Sequence, residues 1–311
     1  MSIVVMVDSG ASLPLYILKR KDIQVIPLSI ELNGNEIMEL NDINYEQKEN
    51  LMPIIHKPEI SKIKKDIDRY LELGMDVLFI TISSKLSNEY YDLVETFKNY
   101  DSSTISIIDS LNVGSGESLL VLKALELMDS GYGLKYITNY INKIKYDIKS
   151  TYVIENFPFL YAQNVCEDFE CKYINFKDRY PILNLSDGDA KVSFNSAKLD
   201  AAYQIFEDNI FDSLSNNEIN EVIISYVSNK EAIEKIKHSL KRRCKNITIT
   251  LIKSNLFLKL CLGDNGVCYS IINKWSYRIF YKIFYYFINL FFYILYNVTR
   301  WFECLIKVLK K

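Results

Sequence analysis

Histidine is nearly absent from this chain: His56 and His238 are the only two among 311 residues. The sequence also lacks a G-x-S-x-G segment, the strand-to-helix turn that carries the serine nucleophile of many hydrolases. A serine nucleophile needs a base within reach, so both absences argue against a serine-dependent hydrolase. That class stays open because His56 lies in a loop that is expected to approach the predicted strand ends.

Glycine motifs for nucleotides are missing as well. The segment VGSGES (113–118) precedes a predicted helix, but it contains neither G-x-G-x-x-G nor the lysine of a phosphate-binding loop. Its small residues are expected to let the backbone approach a ligand or a packed strand. Cys166 and Cys171, in CEDFEC, are loosely spaced for a metal pair, and no second pair follows. No metal and no cofactor are predicted.

The net charge of −2 hides an asymmetry along the chain. Residues 274–311 carry seven basic residues and one acid, a net charge of +6, so residues 1–273 carry −8. An acidic body argues against nucleic-acid binding, and a basic apolar tail suits an anionic membrane. The first ten residues, MSIVVMVDSG, show no basic region or long apolar core of a secretory signal. A cytoplasmic body with free thiols is therefore expected.

Strand and helix patterns alternate through residue 150, which predicts a parallel α/β sheet. The predicted strands are Ile3–Val7, Ile23–Leu32, Asp76–Ile82 and Thr104–Ile108, and the predicted helices are Ser61–Leu73, Tyr90–Phe97, Ser118–Met128 and Tyr136–Ile148. Pro53 and Pro58 are expected to bracket a loop.

Residues 151–273 read as a second α/β unit. Its strands are predicted near 151–155, 180–184, 221–226 and 247–252, and its helices near 197–212 and 230–242.

Three predicted strands end in small polar residues, namely Asp8-Ser9, Ser83-Ser84 and Asp109-Ser110. Ligands of open parallel sheets bind beyond the carboxyl ends of the strands. Hydroxyl donors at a helix N-terminus, such as Ser84 and Ser87, suit a carboxylate. The same two serines are also suited to shaping the turn and capping the helix, and the residues alone favour neither role.

Four segments resemble the DegV family in order and spacing: VDSGASLP (7–14), IQVIPLSIELNGNE (23–36), ISSKLSNEYYD (82–92) and IDSLNVGSGESLLVL (108–122). The resemblance covers roughly residues 2–272 and is stronger in the first 125. It implies a two-domain, non-catalytic α/β carrier that holds a long-chain fatty acid between its domains. It also implies a partner, a fatty acid kinase that phosphorylates the bound carboxylate.

By this resemblance Ser84 matches the family's carboxylate-binding serine, and its loss should weaken fatty acid binding about tenfold. The other predicted site residues are Asp8, Ser9, Ser87, His56 and Ser110.

The sequence departs from the family pattern at three places. The segment IHKP (55–58) places Ile55 and His56 where the family has hydroxyl residues, and Cys261 takes the place of a histidine. A Lys-Gly-Gly-Arg stretch is absent from residues 157–171. Two carboxylate ligands of the family are therefore missing, with His56 and Lys57 as candidates to compensate.

Nothing in the family pattern accounts for the tail. Residues 283–298, IFYYFINLFFYILYNV, carry no charge and approach the length of a membrane span. The predicted organisation is residues 1–150 and 151–273 as two α/β domains, and 274–311 as a basic tail with a hydrophobic helix. Residues 279–311 are predicted to attach the body to the cytoplasmic membrane, either by spanning it or by lying flat on it. The alternative interpretation is that the tail is an accident of the reading frame.

Two alternatives to the lipid carrier remain. A pocket sealed by side chains would favour a membrane-tethered interaction module that binds no fatty acid. A base hydrogen-bonded to Ser84 or Ser87 would favour the hydrolase, and an apolar tunnel ending at Ser84 would favour the carrier.

Overall fold

The computed structural model describes residues 2–32, 35–38, 53–155, 179–215 and 221–272. The strands are β1 (Ile3–Asp8), β2 (Ile23–Ile26), β3 (Ser29–Leu32), β4 (Asn35–Met38), β5 (Ile54–His56), β6 (Asp76–Thr81), β7 (Ile105–Asp109), β8 (Ile148–Val153), β9 (Tyr180–Ser186), β10 (Asp189–Ser196), β11 (Glu221–Tyr226), β12 (Thr248–Lys253) and β13 (Val267–Ile272). The helices are α1 (Leu15–Leu18), α2 (Ile60–Glu72), α3 (Glu89–Phe97), α4 (Ser115–Asp129), α5 (Leu134–Ile144), α6 (Leu199–Ser215), α7 (Lys230–Arg243) and α8 (Leu256–Leu262).

The first sheet is parallel throughout, with strand order β2-β1-β6-β7. Every residue of β1 and β6 is buried, because helices cover both faces of the sheet. Val4 and Met6 pack with α2 and α3 on one face, and Val5 and Val7 pack with α4 and α5 on the other. The predicted parallel sheet of the N-terminal part is confirmed.

The second sheet has six strands in the order β10-β9-β8-β13-β11-β12, and only β11 and β12 pair in parallel. Helices α6 and α7 cover one face through apolar residues at helical spacing, among them Phe206, Ile210, Ile236 and Leu240. The α/β character predicted for this part of the chain is confirmed.

Helix α4 packs against strands of both large sheets. Its first seven residues, Ser115–Val121, are all buried, and the small side chains among them allow close packing. Met1–Ile272 forms one compact unit, so the predicted domain boundary at residue 150 stays a prediction.

Two local predictions are wrong, and the helix predicted over Tyr136–Ile148 ends at Ile144, because Ile148 begins β8. The single strand predicted over Ile23–Leu32 is broken at Pro27, which has no N–H for a strand hydrogen bond. Strand β2 joins the parallel sheet, whereas β3 is the centre of a small antiparallel sheet with order β4-β3-β5. The segment between Pro53 and Pro58 is not a loop, because Ile54–His56 forms β5 and pairs with β3.

The tail predicted over 274–311 lies outside the described residues, and so do Cys166 and Cys171. Of the helices that the structure describes, none combines the length and hydropathy of a membrane span.

Candidate functional site

The carboxyl ends of β1, β6 and β7 meet at one edge of the parallel sheet, as predicted. Thr81 lies opposite Asp109 in the strand register. The buried carboxylate of Asp8 accepts hydrogen bonds from the backbone N–H groups of Gly10 (2.7 Å) and Ile82 (2.6 Å). Asp8 therefore ties the end of β1 to the residue that follows β6.

Ser84 is held by Asp109 across this edge. Its Oγ donates a 2.5 Å hydrogen bond to Oδ2 of Asp109, and its backbone N–H donates a 3.0 Å bond to Oδ1. The N–H of Leu111 also donates to Oδ1, at 2.9 Å. The Asp109 carboxylate thus organises two loops, and the half-buried Ser84 is part of that arrangement.

Three other predicted site residues have local partners. Ser9 Oγ accepts a 2.9 Å hydrogen bond from the N–H of Leu28. Ser110 Oγ donates to the carbonyl of Asn112 at 2.9 Å and accepts from its N–H at 3.0 Å. His56 Nε2 lies 3.0 Å from Oε2 of Glu31, and His56 is not among the residues that line the cavity described below.

A cavity of about 170 Å³ lies next to this edge. Most of its lining is apolar: Leu28, Ile55, Ile82, Leu86, Val113, Ile154, Leu183, Leu185, Ala190, Phe257, Leu258 and Leu262. The remaining lining residues are Lys57, Ser87, Tyr152 and Cys261. The lining comes from both predicted domains, so the cavity lies where the resemblance places the ligand.

Ser87 is the one predicted site residue that lines the cavity. Its Oγ also accepts a 3.2 Å hydrogen bond from the N–H of Glu89, at the start of α3. The sequence left two roles open for this serine, ligand binding and helix capping. In the structure its Oγ accepts the N–H of Glu89 at the start of the helix, and the residue also lines the cavity, where a ligand would meet it. Ile55 and Cys261, the departures from the family pattern, both line the cavity.

Asp8, which the sequence predicted as a site residue, forms a cluster of buried carboxyl groups with two glutamates that the sequence did not predict, Glu89 and Glu117. Burial, partly offset by its backbone hydrogen bonds, raises the pKa of Asp8 to about 6. Burial and the nearby Asp8 raise the pKa values of both Glu89 and Glu117 well above the ordinary value. Among the residues that the structure describes, neither glutamate has a hydrogen-bond partner for its side-chain oxygens. These two groups therefore favour the neutral form.

The acid cluster gives no sign of holding a metal. In the part of the chain that the structure describes, no three His, Cys, Asp or Glu side chains converge as metal ligands would. Both glutamates stand in the first turn of a helix, where acids are common at exposed positions. Only the packing of α3 and α4 against the sheets buries them, so the sequence held no signal for the cluster.

The geometry does not suit serine hydrolysis. The group bonded to Ser84 is the carboxylate of Asp109, which also accepts hydrogen bonds from two backbone N–H groups and so holds the two loops together. Among the described residues no histidine contacts Ser84 or Ser87. The interaction-module alternative requires a pocket that side chains fill, whereas this cavity is open. An apolar cavity with a few polar groups is the typical form of a small-molecule site.

Comparison with known proteins agrees with the sequence resemblance. The family model described as "Uncharacterised protein, DegV family" matches residues 2–273. A DegV domain-containing protein of Clostridium acetobutylicum is 32% identical over 157 residues, which is 49% of this chain and 56% of the relative. A DegV domain-containing protein of Clostridium perfringens is 27% identical over 274 residues, covering 86% of this chain and 94% of the relative.

Solved structures share the fold at low sequence identity. A fatty acid binding DegV family protein of Streptococcus agalactiae superposes with a TM-score of 0.75 and 16% identity, covering 87% of this chain and 98% of its own. A stearic acid-binding protein of Eubacterium ventriosum also gives 0.75, with 15% identity, covering 89% and 99%. Because the family model matches residues 2–273 of the 311, the chain belongs to the DegV family.

Proposed function

We propose that this protein is a non-catalytic carrier that holds a long-chain fatty acid in the cavity, with the carboxylate at the loop from Ser84 to Ser87. The observation that carries the proposal is the cavity itself, an unfilled space lined mainly by apolar side chains with Ser87 and Lys57 among the polar ones. The stearic acid and fatty acid ligands named for proteins of the same fold support this ligand class.

The driving force is the burial of methylene groups. Each methylene removed from water contributes about 0.8 kcal/mol. Engineered apolar cavities of about 150 Å³ stay dry and take up molecules the size of benzene. This cavity is of similar volume, so it holds part of a long acyl chain, and the lining side chains must move to admit the rest. The carboxylate must stay near polar groups or water, because an unpaired charge is costly to bury.

The proposal includes a second step, in which a partner kinase transfers the γ-phosphoryl group of ATP to the bound carboxylate. The family resemblance supports this step. The missing Lys-Gly-Gly-Arg stretch and the cysteine at position 261 lead us to expect slow transfer. Incubating the loaded protein with a fatty acid kinase of the family and ATP tests this, and rapid acyl phosphate formation would show that the departures are harmless.

The first step is tested by filling the cavity. Ala190 lines it from β10, whereas the neighbouring Lys191 is exposed on the other face of the same strand. Full-length wild type, Ala190→Phe and Lys191→Phe are incubated with long-chain fatty acids, and the retained lipid is identified by mass spectrometry.

We expect wild type and Lys191→Phe to retain fatty acid and Ala190→Phe to retain at least tenfold less. A wild type that retains none, or an Ala190→Phe variant that retains as much as wild type, would contradict the carrier.

A further inference from the structure

We propose that Lys57 is the cationic anchor of the ligand head group, so that the cavity selects an amphiphile ending in a carboxylate over a neutral one of the same chain length. This inference rests on the proposed function and identifies the group that gives it charge selectivity. Lys57 directly follows β5, and its side chain pairs with Asp92 on α3.

Of the described residues that line the cavity, Lys57 is the one with a charged side chain. Two other polar side chains of the lining are weaker hydrogen-bond donors to a carboxylate. The hydroxyl of Tyr152 donates a 2.9 Å hydrogen bond to the carbonyl of Val113, so its only hydrogen is used. Cys261 offers a weak thiol donor. An ammonium and the hydroxyl of Ser87 are therefore the strongest donors on this surface.

Lys57 and Ser87 both line the cavity and both contact the first turn of α3. The ammonium group of Lys57 is paired with the carboxylate of Asp92, in the first turn of α3. Ser87 precedes that helix and caps it through the N–H of Glu89. Both donors therefore flank the N-terminus of α3, where the helix dipole also favours an anion.

The pair between Lys57 and Asp92 does not prevent this role. The two side chains are 48% and 36% exposed, and ion pairs at such positions contribute little to stability. A lysine ammonium has three hydrogens, so it accommodates a ligand carboxylate beside Asp92 or in its place.

Burial keeps the neighbouring Glu89 from repelling a ligand carboxylate, because it favours the neutral form of that side chain. Glu89 stands beside this pair at the start of α3, and burial raises its pKa, with Asp8 and Asp92 adding to the rise. The neutral form that results places no second negative charge next to the incoming carboxylate. The charged side chains near the proposed head-group position are then Lys57 with its partner Asp92, and Asp109, whose carboxylate is bonded to Ser84.

The test compares two ligands and two lysines. Hexadecanoic acid and 1-hexadecanol have the same chain, and only the acid carries a charge. Lys64 is the matched control: its side chain is 43% exposed and paired with Asp68 at 2.6 Å on α2, and it is absent from the cavity lining. Affinities for both ligands are measured by displacement of a fluorescent fatty acid from the full-length protein.

We expect Lys57→Met to weaken binding of the acid at least tenfold, the effect of losing one charge-assisted hydrogen bond. Binding of the alcohol should change less than twofold, because its head group has no charge to pair. Lys57→Arg should retain the acid, and Lys64→Met should change neither affinity. Circular dichroism melting shows that each variant is folded.

The outcomes separate this inference from the proposed function. If wild type binds the acid and Lys57→Met binds it equally well, or if Lys57→Met loses acid and alcohol alike, Lys57 is not the charge-selective anchor although the carrier stands. If wild type binds neither ligand and displaces no probe, the carrier fails and the anchor fails with it.

Discussion

The hydroxyl of Ser84 donates a 2.5 Å hydrogen bond to the carboxylate of Asp109. A serine hydroxyl has one hydrogen, so this bond uses the only donor that Ser84 could offer a ligand carboxylate. Asp109 also receives the backbone N–H of Ser84 at 3.0 Å. The relationship fixes the turn that leads from β6 to α3 and so positions Ser87 at the cavity.

Replacement of Ser84 by alanine tests which role the residue has. We expect Ser84→Ala to lower the free energy of unfolding by about 1–3 kcal/mol, because it removes a partner of a buried carboxylate. Fatty acid affinity should change less than threefold. Urea unfolding and a binding titration measure the two effects. A tenfold loss of affinity with unchanged stability would instead support the role that the family resemblance assigns to Ser84.

The fold was predictable where burial is complete. Strands β1 and β6 are buried along their whole length, and their unbroken apolar runs marked them in the sequence. Strand β10 was missed because it alternates and has polar residues, although Asp187-Gly188 before it is a typical hairpin turn, with φ angles of 52° and 82°. Strand β5 was missed because two prolines flank it.

The sequence predicted which edge of the sheet carries the site, but not which side chains at that edge line the cavity. The rule for parallel sheets placed the strand-end residues together, but it could not tell which hydroxyls turn toward other loops. Ser84 turns to Asp109, whereas Ser87 lines the cavity. Many apolar lining residues come from β9, β10 and α8, where the family resemblance is weak.

Glu117 should make stability depend on pH. Its pKa is raised in the folded protein, so the folded state keeps a proton that the unfolded chain releases above its ordinary pKa of 4.5. The stabilisation is complete below that pH and is lost as pH rises toward the folded pKa. We expect the free energy of unfolding to fall between pH 5 and 8 by at least about 1.4 kcal/mol more in wild type than in Glu117→Gln, the equivalent of one pKa unit.

Urea unfolding at both pH values measures this difference. Glu126→Gln serves as the control, because Glu126 lies on the same helix and is exposed. It should keep the pH dependence of wild type. An identical pH dependence in wild type and Glu117→Gln would show that the buried glutamate is charged in the folded state.

Gly114 is required by its backbone conformation. Its φ of 60° and ψ of −126° lie in a region that other residues avoid, and its N–H donates a 2.8 Å hydrogen bond to the carbonyl of Gly10. A Cβ atom here would lie 3.3 Å from both Cys268 Sγ and a Leu258 methyl carbon. We expect Gly114→Ala to lower the free energy of unfolding by about 2–4 kcal/mol, combining backbone strain with crowding.

Gly74 supplies the matched comparison for that variant. It also has a positive φ, 71°, but a Cβ atom there meets no atom within 4 Å. Gly74→Ala should cost only about 1 kcal/mol, the strain of the backbone alone. Equal losses in the two variants, measured by urea unfolding, would mean that the close approach at Gly114 contributes nothing.

The final prediction concerns residues 274–311, which lie outside the described residues. The uncharged segment 283–298 contains aromatic residues throughout and only Asn289 and Asn297 as strongly polar exceptions. Such a segment offers no polar face to water, and basic residues flank it on both sides, as in membrane anchors. We expect the full-length chain to sediment with membranes and a chain truncated after Asn273 to remain in the supernatant.

Carbonate extraction then distinguishes the two membrane-bound arrangements. A spanning helix should resist extraction, but it would carry the basic C-terminus across the membrane, against the preference of basic residues for the cytoplasmic side. A helix lying in the plane of the interface should be released, and the alternation of apolar and basic residues in RWFECLIKVLKK (300–311) favours this arrangement. If the full-length chain stays in the supernatant at physiological salt, as the truncated chain does, the tail is not a membrane anchor.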